Sequence, residues 1–100
     1  MVIYEVTANV VERLIVAYVE YMTEHHIPDV LATGYFAEAW FVRSAPGRFR
    51  VHYVAHDQTS LDEYLAKEAT RLRADFTQHL PEGAELSREN WDVVKFFKSG

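Results

Sequence analysis

The sequence contains no cysteine, only four glycines and three prolines, and no long uninterrupted apolar run. Without cysteine the chain has no disulfide, no thiol nucleophile and no thiolate-ligated zinc or iron–sulfur cluster. A membrane-spanning helix needs about 20 apolar residues, which the sequence does not offer. The first residues, MVIYEVT, lack the basic segment that opens a secretory signal. We therefore expect a cytoplasmic protein that does not bind membranes.

Basic residues are also scarce, since ten Lys and Arg residues stand against fifteen Asp and Glu residues, for a net charge of −5 at pH 7. This charge argues against binding to nucleic acid or to an anionic membrane surface. No glycine-rich phosphate loop supports a flavin or nicotinamide site. The histidines do not suggest a metal site either, because adjacent His25 and His26 diverge on a helix. His52 and His56 would lie roughly 13 Å apart on a strand, so we expect no metal and no organic cofactor.

The 100 residues do include many apolar side chains, with 49% hydrophobic and 14% aromatic residues. This composition is typical of a globular protein, and the length fits one domain over residues 1–100. A chain this short buries a smaller share of its surface than a larger one does. Association between subunits would therefore add usefully to its stability.

Apolar periodicity divides the chain into six elements. Residues 2–10 and 88–97 read as the first and last strands, and residues 35–44 and 48–56 as a central hairpin turning at Ala45-Pro46-Gly47. A first helix runs from Val11 to about His26, where Pro28 ends it. A short turn over 29–32 follows, ended by Gly34. A capping box, Ser60-x-x-Glu63, opens a second long helix through Phe76.

The order strand–helix–strand–strand–helix–strand is typical of a ferredoxin-like fold. We therefore predict an α+β sandwich in which a four-stranded antiparallel sheet carries both helices on one face. Such a sheet leaves its other face open to water in a monomer.

That open face is predicted to be apolar. If Ser44 opposes Arg48 across the hairpin, alternation places eight hairpin residues on it, namely Phe36, Glu38, Trp40, Val42, Arg50, His52, Val54 and His56. An exposed patch this apolar suggests an interface, so we predict a homodimer in which two sheets face each other. Glu5 would join Glu38, Arg50 and His52 in a polar cluster around Trp40 that fixes the register of the two subunits.

Three segments resemble a bacterial family of unknown function in the dimeric α/β-barrel superfamily. They are the opening strand Met1–Thr7, the run His26-Ile27-Pro28-Asp29-Val30-Leu31-Ala32-Thr33-Gly34, and the helix from Ser60 to Arg73. The resemblance implies a ferredoxin-like protomer and a face-to-face homodimer. The superfamily includes cofactor-free monooxygenases, isomerases and haem-degrading enzymes, but the family itself implies no known reaction.

Glu68 is the most informative single residue, because it falls inside the apolar stripe of the second helix. A carboxylate that faces a sheet needs a polar partner. Glu68 either lines a pocket between helices and sheet, which would bind an apolar or aromatic metabolite, or turns to the margin and pairs with a surface Lys or Arg. The other predicted lining residues are aromatic, namely Tyr18, Tyr35, Phe41, Tyr53 and Tyr64.

Two alternatives stay open. A cofactor-free isomerase or monooxygenase would use Glu68 as general base, with His26 or a tyrosine stabilising the oxyanion. A structural or regulatory dimer would have a filled core and no ligand. His26 could also simply bind carbonyls at the end of the first helix. A cavity of roughly a few hundred Å³ beside Glu68 would favour ligand binding, and a packed core would favour the structural dimer.

Overall fold

The sheet is organised around its first strand, β1, which is rich in β-branched and aromatic residues. The computed structural model describes residues 1–100, and the strands are antiparallel in the order β2-β3-β1-β4. Their bounds are β1 Val2–Val10, β2 Phe36–Ala45, β3 Arg48–Ala55 and β4 Ala84–Asp92. This strand order, with both helical regions on one face, confirms the predicted ferredoxin-like fold.

Two helical regions cover the inner face of the sheet. The first comprises a 3₁₀ turn Glu12–Leu14, α1 Ile15–Tyr21, a π-helical turn Met22–His26 and α2 Ile27–Ala32. The second comprises α3 Gln58–Lys67 and α4 Ala69–His79. Tyr18, Leu61 and Leu72 from these helices are almost fully buried against inward residues of the sheet such as Val51. None of the helices is both long enough and apolar enough to cross a lipid bilayer.

The expectation that Pro28 ends the first helix is wrong. Ile27, directly before the proline, has helical angles of φ −62° and ψ −46°. Its N–H bonds the carbonyl of Met22, five residues back, which makes this turn wider than an α-helical turn. The wider turn accommodates the proline ring and its missing N–H. The helical region continues to Ala32, after which Gly34 has a φ of +85°, as its predicted role at a helix end requires.

The second helical region differs from the prediction at both its start and its middle. Asp57, not Ser60, is the N-cap, and its Oδ1 accepts a 2.8 Å hydrogen bond from the Ser60 backbone N–H. That bond lowers the pKa of the Asp57 carboxyl. At Glu68 the backbone leaves helical geometry, with φ −123° and ψ −33°. The predicted single helix is therefore two helices that meet at Glu68.

The hairpin register is as predicted from Glu38 to Arg43, and it shifts by one residue at each end. Glu38 opposes Val54, but Phe36 opposes Ala55, because a bulge lies between Phe36 and Glu38. The bulge turns the Phe36 ring inward, where it lies 4.8 Å from the ring of Tyr64. The prediction of Phe36 as an interface residue is therefore wrong, since its side chain belongs to the core.

The last strand begins earlier and ends earlier than predicted. β4 pairs with the whole of β1, from Ala84 opposite Val10 to Asp92 opposite Val2. One further hydrogen bond, donated by the Val93 N–H to the Met1 carbonyl, continues this pairing past Asp92. The apolar residues that suggested a strand beyond this point are exposed, namely Val94, Phe96 and Phe97.

Candidate functional site

A cavity of about 70 Å³ lies between the helices and the inner face of the sheet. Its walls come from β1, β3 and β4 of the sheet and from both helical regions, and ten of its fourteen lining residues are hydrophobic. It is smaller than the roughly 300–1,000 Å³ typical of pockets for drug-sized ligands. It exceeds the space of roughly 10–15 Å³ that one water requires. The core is therefore not completely filled, but the cavity is smaller than the few hundred Å³ expected for a ligand site and does not adjoin Glu68, so it has room only for a small guest.

The structure places four of the predicted site residues in the wall of this cavity, namely Tyr18, Tyr53, Tyr64 and His26. Phe41 is not among the lining residues. Its ring lies 5.5 Å from Phe49 and 6.0 Å from Tyr18, in an aromatic cluster beside the cavity. Tyr35, which precedes β2, is half-buried at the margin of the core and does not line the cavity.

Of the two positions expected for Glu68, the structure shows the surface ion pair and not the side chain that faces the sheet. Its Oε2 lies 2.8 Å from Nη2 of Arg71, which is exposed, and Glu68 is not a lining residue. The stripe that predicted an inward side chain assumed one continuous helix. Because the helix breaks at Glu68, the buried face of α4 is not in phase with that of α3. It begins at Ala69 and continues through Leu72. The general-base role that the sequence suggested for Glu68 has no support in this geometry.

Two arginines converge on one tyrosine in the cavity wall. Arg73 Nη2 and Arg88 Nε donate hydrogen bonds of 3.0 and 3.1 Å to the hydroxyl oxygen of Tyr4. One arginine comes from α4 and the other from β4, and all three residues line the cavity. Neither guanidinium forms an ion pair with a carboxylate of the chain. The polar part of the cavity is therefore positively charged.

The other three tyrosines of the cavity wall have free hydroxyl groups. Tyr18, Tyr53 and Tyr64 make no side-chain hydrogen bond within the protein, in contrast to Tyr4. The Tyr53 hydroxyl is wholly shielded from solvent and is the one buried side-chain polar atom without a partner. Burial raises the pKa of Tyr18 and Tyr53, and burial and nearby Tyr4 raise that of Tyr64 to about 12. All three remain protonated donors near neutral pH.

His26 lies at the cavity beside a short polar chain. Its Nδ1 is 3.4 Å from the Tyr21 hydroxyl, which donates a 2.6 Å hydrogen bond to Asp75 Oδ2. Burial lowers the pKa of His26, although Asp75 and Asp29 oppose that shift. The imidazole is therefore mainly neutral near pH 7. Because the helix runs through His26, the residue does not cap a helix end, and that expectation is wrong.

The outward face of the sheet carries most of the residues predicted for the dimer interface. Trp40 on β2 is 60% exposed, and it lies opposite His52 on the neighbouring strand β3. Glu5 on β1 lies 3.4 Å from His52 and 3.5 Å from Arg50, so three of the four members of the predicted polar cluster meet. Glu38 opposes Val54 and makes no ion pair. Val42, opposite Arg50, adds a further exposed apolar side chain.

Sequence reasoning missed Tyr4, Arg73 and Arg88 as site residues. The inward direction of Tyr4 follows from alternation along β1, which was available from the sequence. Arg88 was hidden by the displaced bounds of the last strand. With the observed pairing, Arg88 opposes Val6 and therefore shares the inner face with Tyr4. An arginine at an inward position of an edge strand is the signal that could have indicated this site.

The comparisons with known proteins agree with this fold and with a small domain of undetermined activity. Residues 1–89 match the family described as "Domain of unknown function (DUF4286)". No match was found among curated proteins.

Solved structures with the same fold share little sequence with this chain. A protein from Deinococcus radiodurans assigned as an antibiotic biosynthesis monooxygenase is 14% identical, with a TM-score of 0.73 over 100% of this chain and 99% of its own. SnoaB, a cofactor-independent oxygenase from Streptomyces nogalater, is 10% identical, with a TM-score of 0.75 over 98% of both chains. A dimeric ferredoxin-like protein from an uncultured marine organism is 15% identical, with a TM-score of 0.69 over 96% of this chain and 97% of its own.

Proposed function

Because this chain belongs to the DUF4286 family, a domain of unknown function, we propose its function from the geometry of its own cavity. The protein binds a small apolar or aromatic molecule between its helices and its sheet. The observation that carries this proposal is the Tyr53 hydroxyl, which is buried in the wall of an incompletely filled core and has no partner. An unsatisfied buried hydroxyl costs about 1–3 kcal/mol, and a bound acceptor would remove that cost.

The run from His26 to Gly34, one of the three segments that suggested a family resemblance in the sequence, also supports the proposal. It contributes His26 and Val30 to the cavity wall, and Gly34 ends the helix that holds them. We infer that this run forms one wall of the ligand site.

A binding experiment with small aromatic probes tests the proposal. Phenol and benzyl alcohol, titrated into ¹⁵N-labelled protein, are expected to shift amide resonances around the cavity before any others. Val30→Phe, which fills part of the cavity, should abolish those shifts, and Val16→Phe on the exposed surface of α1 should not. If saturating probe leaves the cavity resonances of the wild-type protein unmoved, the proposal is wrong and the structural dimer becomes the better hypothesis.

We further propose that two copies associate through the outward faces of their sheets. Support comes from the two exposed tryptophans of that face, Trp40 and Trp91, the latter being 48% exposed. The strand that carries Trp91 leads into the exposed apolar tail with Val94, Phe96 and Phe97, so the unpartnered apolar surface extends beyond the sheet. The similar protein described as a dimeric ferredoxin-like protein supports a dimer, without indicating which face forms it.

A cofactor-free enzyme is a second candidate, favoured by the state of one residue. His26 is a mainly neutral imidazole at the cavity, and its Nδ1 lies near the Tyr21–Asp75 hydrogen bond. A neutral imidazole can act as general base towards a bound aromatic substrate. In this candidate His26, and not Glu68, removes the proton. His26→Gln would then abolish turnover of a bound substrate while leaving its affinity nearly unchanged.

A further inference from the structure

We infer that the ligand of this cavity is a small aromatic acid whose carboxylate is bound by Arg73 and Arg88. This inference rests on the proposed function and names the chemical class of its ligand. It follows from the placement of the two arginines, from the lack of an acid beside them, and from the character of the remaining wall.

The two guanidinium groups lie close together because they share one acceptor. Both donate to the hydroxyl oxygen of Tyr4, at 3.0 and 3.1 Å, so their donors are held around a single point of the cavity wall. A tyrosine hydroxyl uses up only one donor of each guanidinium, and each guanidinium has five. Most of their hydrogen-bonding capacity therefore remains for a ligand.

Arg73 and Arg88 are exposed to solvent at the edge of the cavity, and neither has a counterion within the chain. The chain has fifteen acidic residues and only ten basic ones, yet no carboxylate lies within ion-pair distance of Arg73 or Arg88. On the same helix Arg71 does have such a partner, Glu68. The charge pattern of the cavity wall is therefore complementary to an anion that comes from outside the chain. A guanidinium fork fits a carboxylate particularly well.

The rest of the cavity wall is rich in aromatic side chains, which complement an aromatic ring on that anion. The Tyr4 ring lies 5.9 Å from the rings of both Tyr53 and Tyr64, so aromatic surface continues inward from the two arginines. Phe76 and Tyr18 extend it, with their ring centroids 6.3 Å apart. The cavity of about 70 Å³ has about half the volume of a cavity of roughly 150 Å³ that holds benzene, so a single ring enters only if side chains of the wall, such as the two exposed arginines, move. The unpartnered Tyr53 hydroxyl is available to a polar substituent on that ring.

Benzoate and benzamide are suitable probes, because they have nearly the same shape and differ in charge. We expect benzoate to bind wild-type protein at least tenfold more tightly than benzamide in titrations followed by calorimetry and ¹⁵N NMR. Arg73→Gln and Arg88→Gln should each weaken benzoate binding about tenfold and leave benzamide binding unchanged. The matched control is Arg71→Gln, the same change two residues away on α4 and outside the cavity, which should bind both probes as the wild type does.

The possible failures are distinguishable. If benzamide binds in the cavity as tightly as benzoate, or if the Arg73 and Arg88 variants keep full benzoate affinity, the carboxylate inference is wrong while the proposed function stands. If neither acid nor neutral aromatic probes shift cavity resonances, the proposed function fails as well. If inorganic phosphate displaces benzoate at equal concentration, the arginines bind a phosphate group, and the assignment to aromatic acids is overturned.

Discussion

The hydroxyl of Tyr21 and the carboxylate of Asp75 are joined by a 2.6 Å hydrogen bond that ties α1 to α4. His26 packs beside this bond, with its ring 5.7 Å from the Tyr21 ring and 5.6 Å from the Phe76 ring. The bond therefore fixes the interface between the two helical regions next to the cavity. It also gives the histidine a defined environment, whose effect on stability is measurable.

The stability of the protein should fall as the solution is acidified below the ordinary histidine pKa of about 6.5. Burial holds the folded-state pKa of His26 below that of the unfolded chain. Between the two pKa values the unfolded state binds more protons than the folded state, so the free energy of unfolding decreases as pH falls through this range. Above the unfolded-state pKa the contribution of His26 to stability is complete. Denaturant unfolding between pH 7.5 and 5 measures the slope. His26→Gln should flatten it, and His25→Gln, at an exposed position in the same turn, should not. An unchanged slope in the His26 variant would contradict the assignment.

Removing the Tyr53 hydroxyl should stabilise the ligand-free protein. Tyr53→Phe deletes a buried polar atom that has no partner, so the free energy of unfolding is expected to rise by about 1 kcal/mol. Tyr21→Phe makes the same chemical change at a hydroxyl that is bonded to Asp75, and it should lower the free energy of unfolding by about 1 kcal/mol. Thermal or urea denaturation of the two variants side by side gives the comparison. Equal destabilisation by both would mean that the Tyr53 hydroxyl has a partner in solution.

Trp40→Glu should convert the proposed dimer to a monomer. It places a charge on the outward sheet face, on the edge strand β2, where a second copy would have to desolvate it. Light scattering on the wild-type protein at micromolar concentration should give about twice 11.6 kDa, and on the variant about 11.6 kDa. Val16→Glu provides the control, because Val16 is equally exposed but lies on α1, on the other side of the molecule. A wild-type protein that is monomeric at this concentration would refute the dimer.

Glu68→Gln should leave the binding of any cavity ligand unchanged. The carboxylate pairs with exposed Arg71 and does not reach the cavity, so its removal alters only the surface at the junction of α3 and α4. The melting temperature should hardly change, because exposed ion pairs contribute little. The measurement is the affinity for benzoate beside that of the wild type. A loss of affinity similar to that expected for Arg88→Gln would restore Glu68 to the site.

Fold and site could be predicted from the sequence to different extents. Alternation and helical periodicity were sufficient for the strand order and for the inward position of Tyr53, because these depend on regular geometry. The errors arose where the geometry is irregular. The bulge near Ala37 turns the Phe36 side chain to the inner face, where the outward face was predicted. The helix break at Glu68 moves its carboxylate to the surface. Neither feature has a proline or glycine to mark it, so tertiary packing alone determines both.

The strand ends show a similar limit. Val94, Phe96 and Phe97 have strong β-propensity, yet a strand continues only as far as its neighbour provides backbone partners. The paired register of β1 and β4 extends from Val10 opposite Ala84 to Val2 opposite Asp92. This error also concealed the second arginine of the cavity, since the direction of Arg88 depends on its register with β1.

The π-helical turn determines which side chains of the first helical region can point towards the cavity. Tyr18, Met22, His26 and Val30 all line the cavity, and they are spaced four residues apart. In a regular α-helix each step of four rotates a side chain by about 40°, so the last of them would point about 120° away from the first. One wide turn at Met22–His26 reduces that drift. The turn is thus a single-residue insertion in structural terms, and losing one residue there would rotate the whole of α2, with Val30, away from the ligand.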